Sequence, residues 1–182
     1  MPDALLVAAT ERELGRLDGL ACGVGPVEAA AATARALALR PVAAVLHVGV
    51  AGGRGLAPRL LVIGCEAVYC DLAAAIPVVS QMKADALLVE AARKAVPDAP
   101  ILAIGTSAAV GGALHDVPVE AMEGFAVLRA AALAGVPAVE VRAISNEIGD
   151  GDRSRWDIPG ALASLHAVLP RLLAAIDAAV QR

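Results

Sequence analysis

The sequence predicts a single α/β domain of three layers, with a central mixed and mainly parallel sheet flanked by helices. Three observations predict it. Short apolar runs alternate with longer, alanine-rich amphipathic runs, as strands alternate with crossover helices. Residues 42–48 form a near-continuous apolar run followed by Gly49, Gly52, Gly53 and Gly55, as expected of a strand buried on both faces that ends where backbone must approach a ligand. The 182 residues, 58% hydrophobic and 19% charged, suit one domain over 1–182 with ample core material.

Residues 4–9 read as the first strand. Residues 11–17 begin a helix or tight helical turn, 20–24 form a second short strand, and 26–39 form a helix with Pro26 at a favourable first-turn position. After the glycine loop, 60–69 read as one long strand or two bent ones, 83–96 as a helix, 101–110 as a strand region and 117–119 as a short strand end. A helix over 123–134 closes on Gly135 and Val136-Pro137, 138–145 form the last buried strand, and 159–180 the C-terminal helix. The polar loop 145–157 follows a strand's carboxyl end, where open α/β sheets bind ligands.

Composition narrows the partners. The only aromatics are Tyr69, Phe125 and Trp156, so helices should pack closely on the sheet through small side chains. A net charge of -4 with no basic run lacks the electrostatic footprint of nucleic-acid binding. Cys22, Cys65 and Cys70 match no zinc or disulfide framework, which suggests reduced, mostly buried thiols in a cytoplasmic protein. Asp3 and Glu11 precede any apolar segment long enough for export, so no secretion is expected. The longest uncharged stretch, 99–114, is short of a membrane span and broken by Pro100 and three glycines, and it reads as two short buried strands. No membrane partner, metal or cofactor is expected.

Three places combine strand ends with polar residues: 10–13, 119–124 and 142–157. Removing a purine-like base from ribose asks for a carboxylate to position or deprotonate water, another to hold ribose hydroxyls, and a donor for the departing base. Glu13, Glu123 and Asn146 are one such set. Each also has a plain structural reading. Glu13 could be a solvated first-turn acid that suits the helix dipole, Glu120 and Glu123 helix-start acids, and Asn146 a turn residue. Periodicity leaves these alternatives open.

The segment Val119-Glu120-Ala121-Met122-Glu123-Gly124, followed about twenty residues on by Val141-Arg142-Ala143-Ile144-Ser145-Asn146, resembles the paired signature of the purine nucleoside phosphorylase and nucleosidase superfamily. Ala9-Thr10-Glu11-Arg12-Glu13 resembles its first-strand acidic turn, Gly23-Val24-Gly25 its second glycine pair, and Gly49-Val50-Ala51-Gly52-Gly53 its central glycine loop. Tyr69-Cys70-Asp71-Leu72, the asparagine at 146 and Gly151-Asp152-Arg153-Ser154-Arg155-Trp156 are most similar to the futalosine hydrolase branch; adenosine-type nucleosidases carry aspartate at that asparagine position.

The resemblance implies a nucleoside phosphorylase-like fold and hydrolysis of futalosine to hypoxanthine and dehypoxanthine futalosine, a step of menaquinone biosynthesis. It implies that Glu13 and Arg142 bind the attacking water, with Glu13 as its base, that Glu123 grips ribose hydroxyls, that Met122 packs on the sugar, and that Asn146 contacts the leaving base. Gly25, Gly49, Val50, Ala51, Gly52, Ala109, Ala121 and Trp156 would complete the substrate site, and a homodimer or higher homo-oligomer is expected, as in relatives. Chemically, an asparagine amide can donate to both N7 and O6 of a 6-oxopurine, whereas an aspartic acid can protonate N7 of adenine. Asn146 therefore favours a hypoxanthine-like base.

The chain departs from the pattern at three points. Val50 replaces a serine that helps hold water, Ala109 replaces an aromatic against the base, and only ten positions separate Glu13 from Gly23, where relatives insert a hairpin. A pocket wall is therefore missing or supplied by a second subunit. Trp156 reads as an anchor of the C-terminal helix more than as a lid. Arg153 and Arg155 could meet an acidic substrate group, and His47, at a strand end, and His115, in a turn, read as structural. Rival readings are a phosphorylase, using Arg54 and Arg59 for phosphate, a methylthioadenosine or S-adenosylhomocysteine-type nucleosidase, and a catalytically silent nucleoside binder. A dinucleotide binder is disfavoured because the glycines do not make G-x-G-x-x-G.

Overall fold

The computed structural model describes residues 3–72, 74–109 and 116–181. His115 and Val110 lie outside them, and the strand expected over 101–110 ends at Thr106, where the chain turns. The elements run β1 (Ala4–Ala8), α1 (Glu11–Leu14), β2 (Leu20–Ala21), α2 (Pro26–Leu39), β3 (Ala44–Gly53), β4 (Leu61–Tyr69), β5 (Gln81–Lys83), α3 (Ala86–Ala95), β6 (Ile101–Thr106), β7 (Val119–Ala121), α4 (Gly124–Leu133), β8 (Ala138–Glu147), a 3-10 turn (Arg153–Arg155) and α5 (Ile158–Val180).

The sheet is mixed and mainly parallel. β1 pairs parallel with β2 and β3, β3 with β8, and β6 with both β4 and β7; β3–β7, β4–β5 and β4–β8 are antiparallel. The path β3–β8–β4–β6–β7 returns to β3, so five strands close into a ring. Ala51, Val62, Ile104, Val119, Ala121 and Ile144, drawn from all five strands, plug its interior.

Helices cover both faces. Buried residues of α1, α3 and α5 pack on one face, and those of α2 and α4 on the other. α5 is long and apolar enough to cross a membrane, but Ala161, Leu165, Val168, Leu169, Leu172 and Ile176 recur every three or four residues and are buried on the sheet. Each of its buried leucines contributes roughly 1.5–3 kcal/mol through burial. Alanines do recur in these interfaces, but Leu, Val and Ile fill most of the layer under α1, α3 and α5, so packing there is not chiefly through small side chains; Tyr69 and Phe125 stack, with ring centroids 5.1 Å apart.

The differences from the sequence expectations have local causes. β3 and β8 outrun their predicted ends, because Gly49, Gly52 and Gly53 stay in extended ladder pairing inside the ring. β5 was not expected; it displaces the start of the predicted 83–96 helix to Ala86, where Asp85 caps the Leu87 and Leu88 amides at 2.9 and 3.1 Å. The short strand expected at 117–119 is β7, two residues further on. His47 lies in the middle of β3, fully buried, and not at its end.

Candidate active site

A cavity of about 300 Å³ opens at the carboxyl ends of β1, β3, β7 and β8, within the range of ligand pockets. Ala51 and Ala121 belong both to the ring's plug and to the cavity wall, so the ring forms its floor. Of the residues expected at the site, Glu13, Val50, Ala51, Gly52, Ala109, Ala121, Met122, Glu123, Asn146 and Trp156 line it. Gly25, Gly49 and Arg142 stand one layer behind.

Glu13 comes from α1. Its Oε2 accepts from the Thr10 amide and hydroxyl, both at 2.9 Å, so the capping box that starts the helix also fixes the acid. Its Oε1 accepts from the Val50 amide at 3.1 Å, and the side chain lines the cavity. Val50 thus contributes its backbone to the site, a role indifferent to its side chain. Gly49 is required by close approach: a Cβ there would collide with Arg142 Nη1 and lie 2.6 Å from Glu13 Oε1.

Glu123 caps α4 and is 4% exposed. Its Oε1 accepts from the Gly25 amide at 3.0 Å, and its Oε2 meets Arg142 Nη2 at 3.4 Å. Gly25 adopts φ +94°, a region that favours glycine, to turn its amide toward that acid. Each Glu123 oxygen keeps acceptor capacity for a ligand hydroxyl.

Asn146 is aimed by a β-bulge. The β3–β8 register runs Ala51 with Ile144 and then Gly52 with Asn146, leaving Ser145 as the extra residue. The Ser145 hydroxyl lies 3.2 Å from the Ala51 carbonyl and 2.7 Å from Asn146 Oδ1. Asn146 Nδ2 donates to the Glu147 carbonyl at 3.0 Å. One of its two protons is therefore engaged, so simultaneous donation to N7 and O6 requires release of that carbonyl.

Arg142 is 1% exposed and stands behind the residues that line the cavity. Its guanidinium pairs with Glu140 at 2.6 Å, meets His47 Nε2 at 2.6 Å and sits behind Glu123. Burial works against the guanidinium's charge, but Glu140, Glu123 and Glu13 outweigh it and hold Arg142 protonated. Cys22, buried near Glu123, has its thiol pushed up to about 11, chiefly by burial, and is inert. Cys70 is likewise buried, but Cys65 is exposed.

Trp156 lines the cavity, and its Nε1 donates to the Asp150 carbonyl at 3.0 Å, so it ties the rim loop back on itself. Arg153 lies over the Trp156 ring at 5.7 Å, and Arg155 pairs with Asp150 and Asp152; neither lines the cavity. Sequence reasoning did not single out Arg12, which does line it and is the one arginine or lysine among the described lining residues. Asp71 was noted only as part of a motif; its carboxylate accepts from the Ser107 hydroxyl and the Ala108 amide, holding the turn that presents Ala109. Arg59 is spent on Asp157 at 2.5 Å, and neither it nor Arg54 lines the cavity.

The phosphorylase superfamily model matches residues 20–181. Futalosine hydrolase of Streptomyces coelicolor is 36% identical over 190 residues, covering 88% of this chain and 80% of the relative. That of Acidothermus cellulolyticus is 35% identical over 194 residues, covering 92% and 80%. The structure of a futalosine hydrolase mutant from Helicobacter pylori matches with TM-score 0.86 at 16% identity, over 96% of this chain and 99% of that one. A 5'-methylthioadenosine/S-adenosylhomocysteine nucleosidase from Colwellia psychrerythraea, in complex with adenine, matches with TM-score 0.85 at 21% identity, over 96% of each chain. These two structural likenesses establish the shared fold. The chain belongs to the phosphorylase superfamily and, within it, to the futalosine hydrolase family.

Proposed function

We infer that this chain is an N-ribosyl hydrolase that cleaves futalosine to hypoxanthine and dehypoxanthine futalosine, in menaquinone biosynthesis. The observation that carries the reading is the convergence of Glu13, Glu123 and Asn146 on one nucleoside-sized hollow. Glu13 Oε1 takes a proton from water as its oxygen adds to C1′ of the ribose and the C1′–N9 electron pair leaves on the base. Glu123 holds the ribose hydroxyls beside an oxocarbenium-like sugar packed on Met122, and the Asn146 amide meets the charge growing on the base.

Arg12, rather than Arg153 or Arg155, is placed to meet the acidic group of the substrate, because those two are engaged at the rim. Water is favoured over phosphate as acceptor: phosphorolysis needs a cationic cradle, and the described lining offers Arg12 against Glu13, Glu120 and Glu123. Val24 lines the cavity yet is 56% exposed, and Val27 beyond it is 76% exposed. A homodimer laid on this edge would supply the wall that the short 13–23 connection omits, and the enzyme would work as a single-domain cytoplasmic subunit in that pair.

Chromatography of base release from futalosine, inosine and methylthioadenosine, with and without phosphate, tests the reading. Release from futalosine alone, indifferent to phosphate, is expected. Release that requires phosphate would make the chain a phosphorylase, release from methylthioadenosine alone would assign it to the adenosine-type nucleosidases, and binding without release would make it a silent binder.

A further inference from the structure

Two fully buried polar side chains have no part in the chemistry above. Glu140 and His47 sit behind the cavity wall, 1% and 0% exposed, and both contact Arg142. Glu140 shares its strand face with Arg142, two residues on, and its Oε1 accepts from Arg142 Nε at 2.6 Å. His47 Nδ1 lies 3.1 Å from the Val7 carbonyl, which can only accept, so Nδ1 carries the proton and Nε2 is bare toward Arg142 Nη2.

The four Arg142 contacts are unequal. Those at the back, to Glu140 and His47, are both 2.6 Å; those toward the cavity, to Glu123 Oε2 and the Val50 carbonyl, are 3.4 and 3.5 Å. We propose that Glu140 and His47 are positioning residues: together they draw the Arg142 guanidinium back from the cavity and so set the distance at which its charge acts on Glu13 and Glu123. Both acids then share one cation's field while their lone pairs stay available to water and ribose, which a tight ion pair would consume. This rests on the hydrolase reading for its catalytic meaning.

The surroundings of Glu140 fit this role. Its Oε2 has no hydrogen-bond partner among the described residues, yet it lies against Gly124, the first residue of the ten-residue α4, where the helix dipole favours negative charge. A Cβ at Gly124 would collide with that oxygen. Burial pushes the Glu140 carboxyl up and Glu123 adds to this, while Arg142 pulls it down. His47 is held well below its ordinary value, first by burial and then by Arg142, and so remains a neutral acceptor. Arg142 is therefore faced by Glu140 on β8, Glu123 on α4, Glu13 on α1 and His47 on β3, with the neutral Cys22 thiol nearby.

The discriminating variant is Glu140→Gln, which keeps the length of the side chain but removes the charge that draws the guanidinium back. Arg142 should then advance, and in a crystal structure of the ligand-free variant its Nη2 should close on Glu123 Oε2 from 3.4 Å to an ordinary hydrogen-bond length. In the same variant kcat for base release should fall about tenfold, because lone pairs meant for water and ribose are then consumed by the ion pair. A guanidinium that keeps its 3.4 Å separation would overturn the proposal, even if activity falls, since lost packing alone lowers activity without moving Arg142 forward. If Glu140→Gln does not melt cooperatively, His47→Gln, which disturbs the other short contact, is read in the same way. The structural readout needs no turnover, so an unaltered enzyme that releases no base refutes the hydrolase reading separately.

Discussion

Val50 and Glu13, 37 residues apart, meet through a hydrogen bond of 3.1 Å from the Val50 amide to Glu13 Oε1. The other carboxylate oxygen is taken by Thr10, so the side chain is held at both ends by donors. That arrangement suits a carboxylate and leaves a free lone pair on Oε1 for water.

Glu13→Gln should therefore lower turnover by roughly a hundredfold or more, since the base is lost. An amide nitrogen would also face a donor whichever way it turned, costing about 1–3 kcal/mol of stability. Kinetics of base release beside a thermal melt separates the two effects; unchanged turnover in folded protein would remove Glu13 from its role.

Asn146→Asp should move preference from 6-oxo toward 6-amino purine nucleosides by about tenfold or more in the kcat/KM ratio, because an acid can protonate N7 where an amide can only donate hydrogen bonds. Competing inosine against methylthioadenosine measures it. A ratio unchanged by the substitution would take Asn146 away from the base.

Gly49→Ala should destabilise by about 1–3 kcal/mol, as overpacking does, because the new methyl meets Arg142 and Glu13 at once. Activity should fall in the protein that remains folded. Full activity would mean that the two charged groups can part without consequence.

Stability should respond to pH through His47. Its folded value lies well below the ordinary 6.5, mainly from burial, so the unfolded imidazole takes up a proton first. The stabilisation is complete above about pH 6.5 and is lost as pH falls toward the depressed value, at up to about 1.4 kcal/mol per pH unit. Glu140, raised by burial, works in the opposite sense, its contribution being lost as pH rises above the ordinary carboxyl range. The comparison that isolates His47 is urea unfolding of the native protein and His47→Gln at pH 7.5 and 5.5. The gap between them should narrow by about 1 kcal/mol at the lower pH; a constant gap would contradict it.

Thiol alkylation at pH 8 should add one label, at the exposed Cys65. Cys22, with its thiol near 11, offers about one thiolate in a thousand there, and it and Cys70 are both shielded by burial. Mass spectrometry of native protein showing two or three adducts would refute it.

The layers and most strands were legible because apolar runs encode them; the convergence of Glu13, Glu123 and Asn146 was legible only through the family resemblance, since periodicity left each a plain structural reading. The ends of β3 and β8 were not, since glycine in a strand reads as a loop until the closing of a ring explains it. The bulge at Ser145, which aims Asn146, depends on pairing with a strand nearly a hundred residues away and leaves no local mark. Arg12 was passed over because a charged helical residue normally faces solvent. Glu140 did leave a signal: a lone acid within an apolar strand, two positions from an arginine, marks a buried pair.

β7 has only three residues, clasped on one edge by β3 and on the other by β6, and Glu123 stands two positions past its end. One inserted residue in that strand would turn the acid away from the cavity, so the strand should accept exchanges of side chain more readily than changes of length. The stretch 148–156, by contrast, is tied chiefly to itself and could be replaced as a unit. New substrates for this scaffold should therefore be sought by grafting the rim onto an unaltered floor.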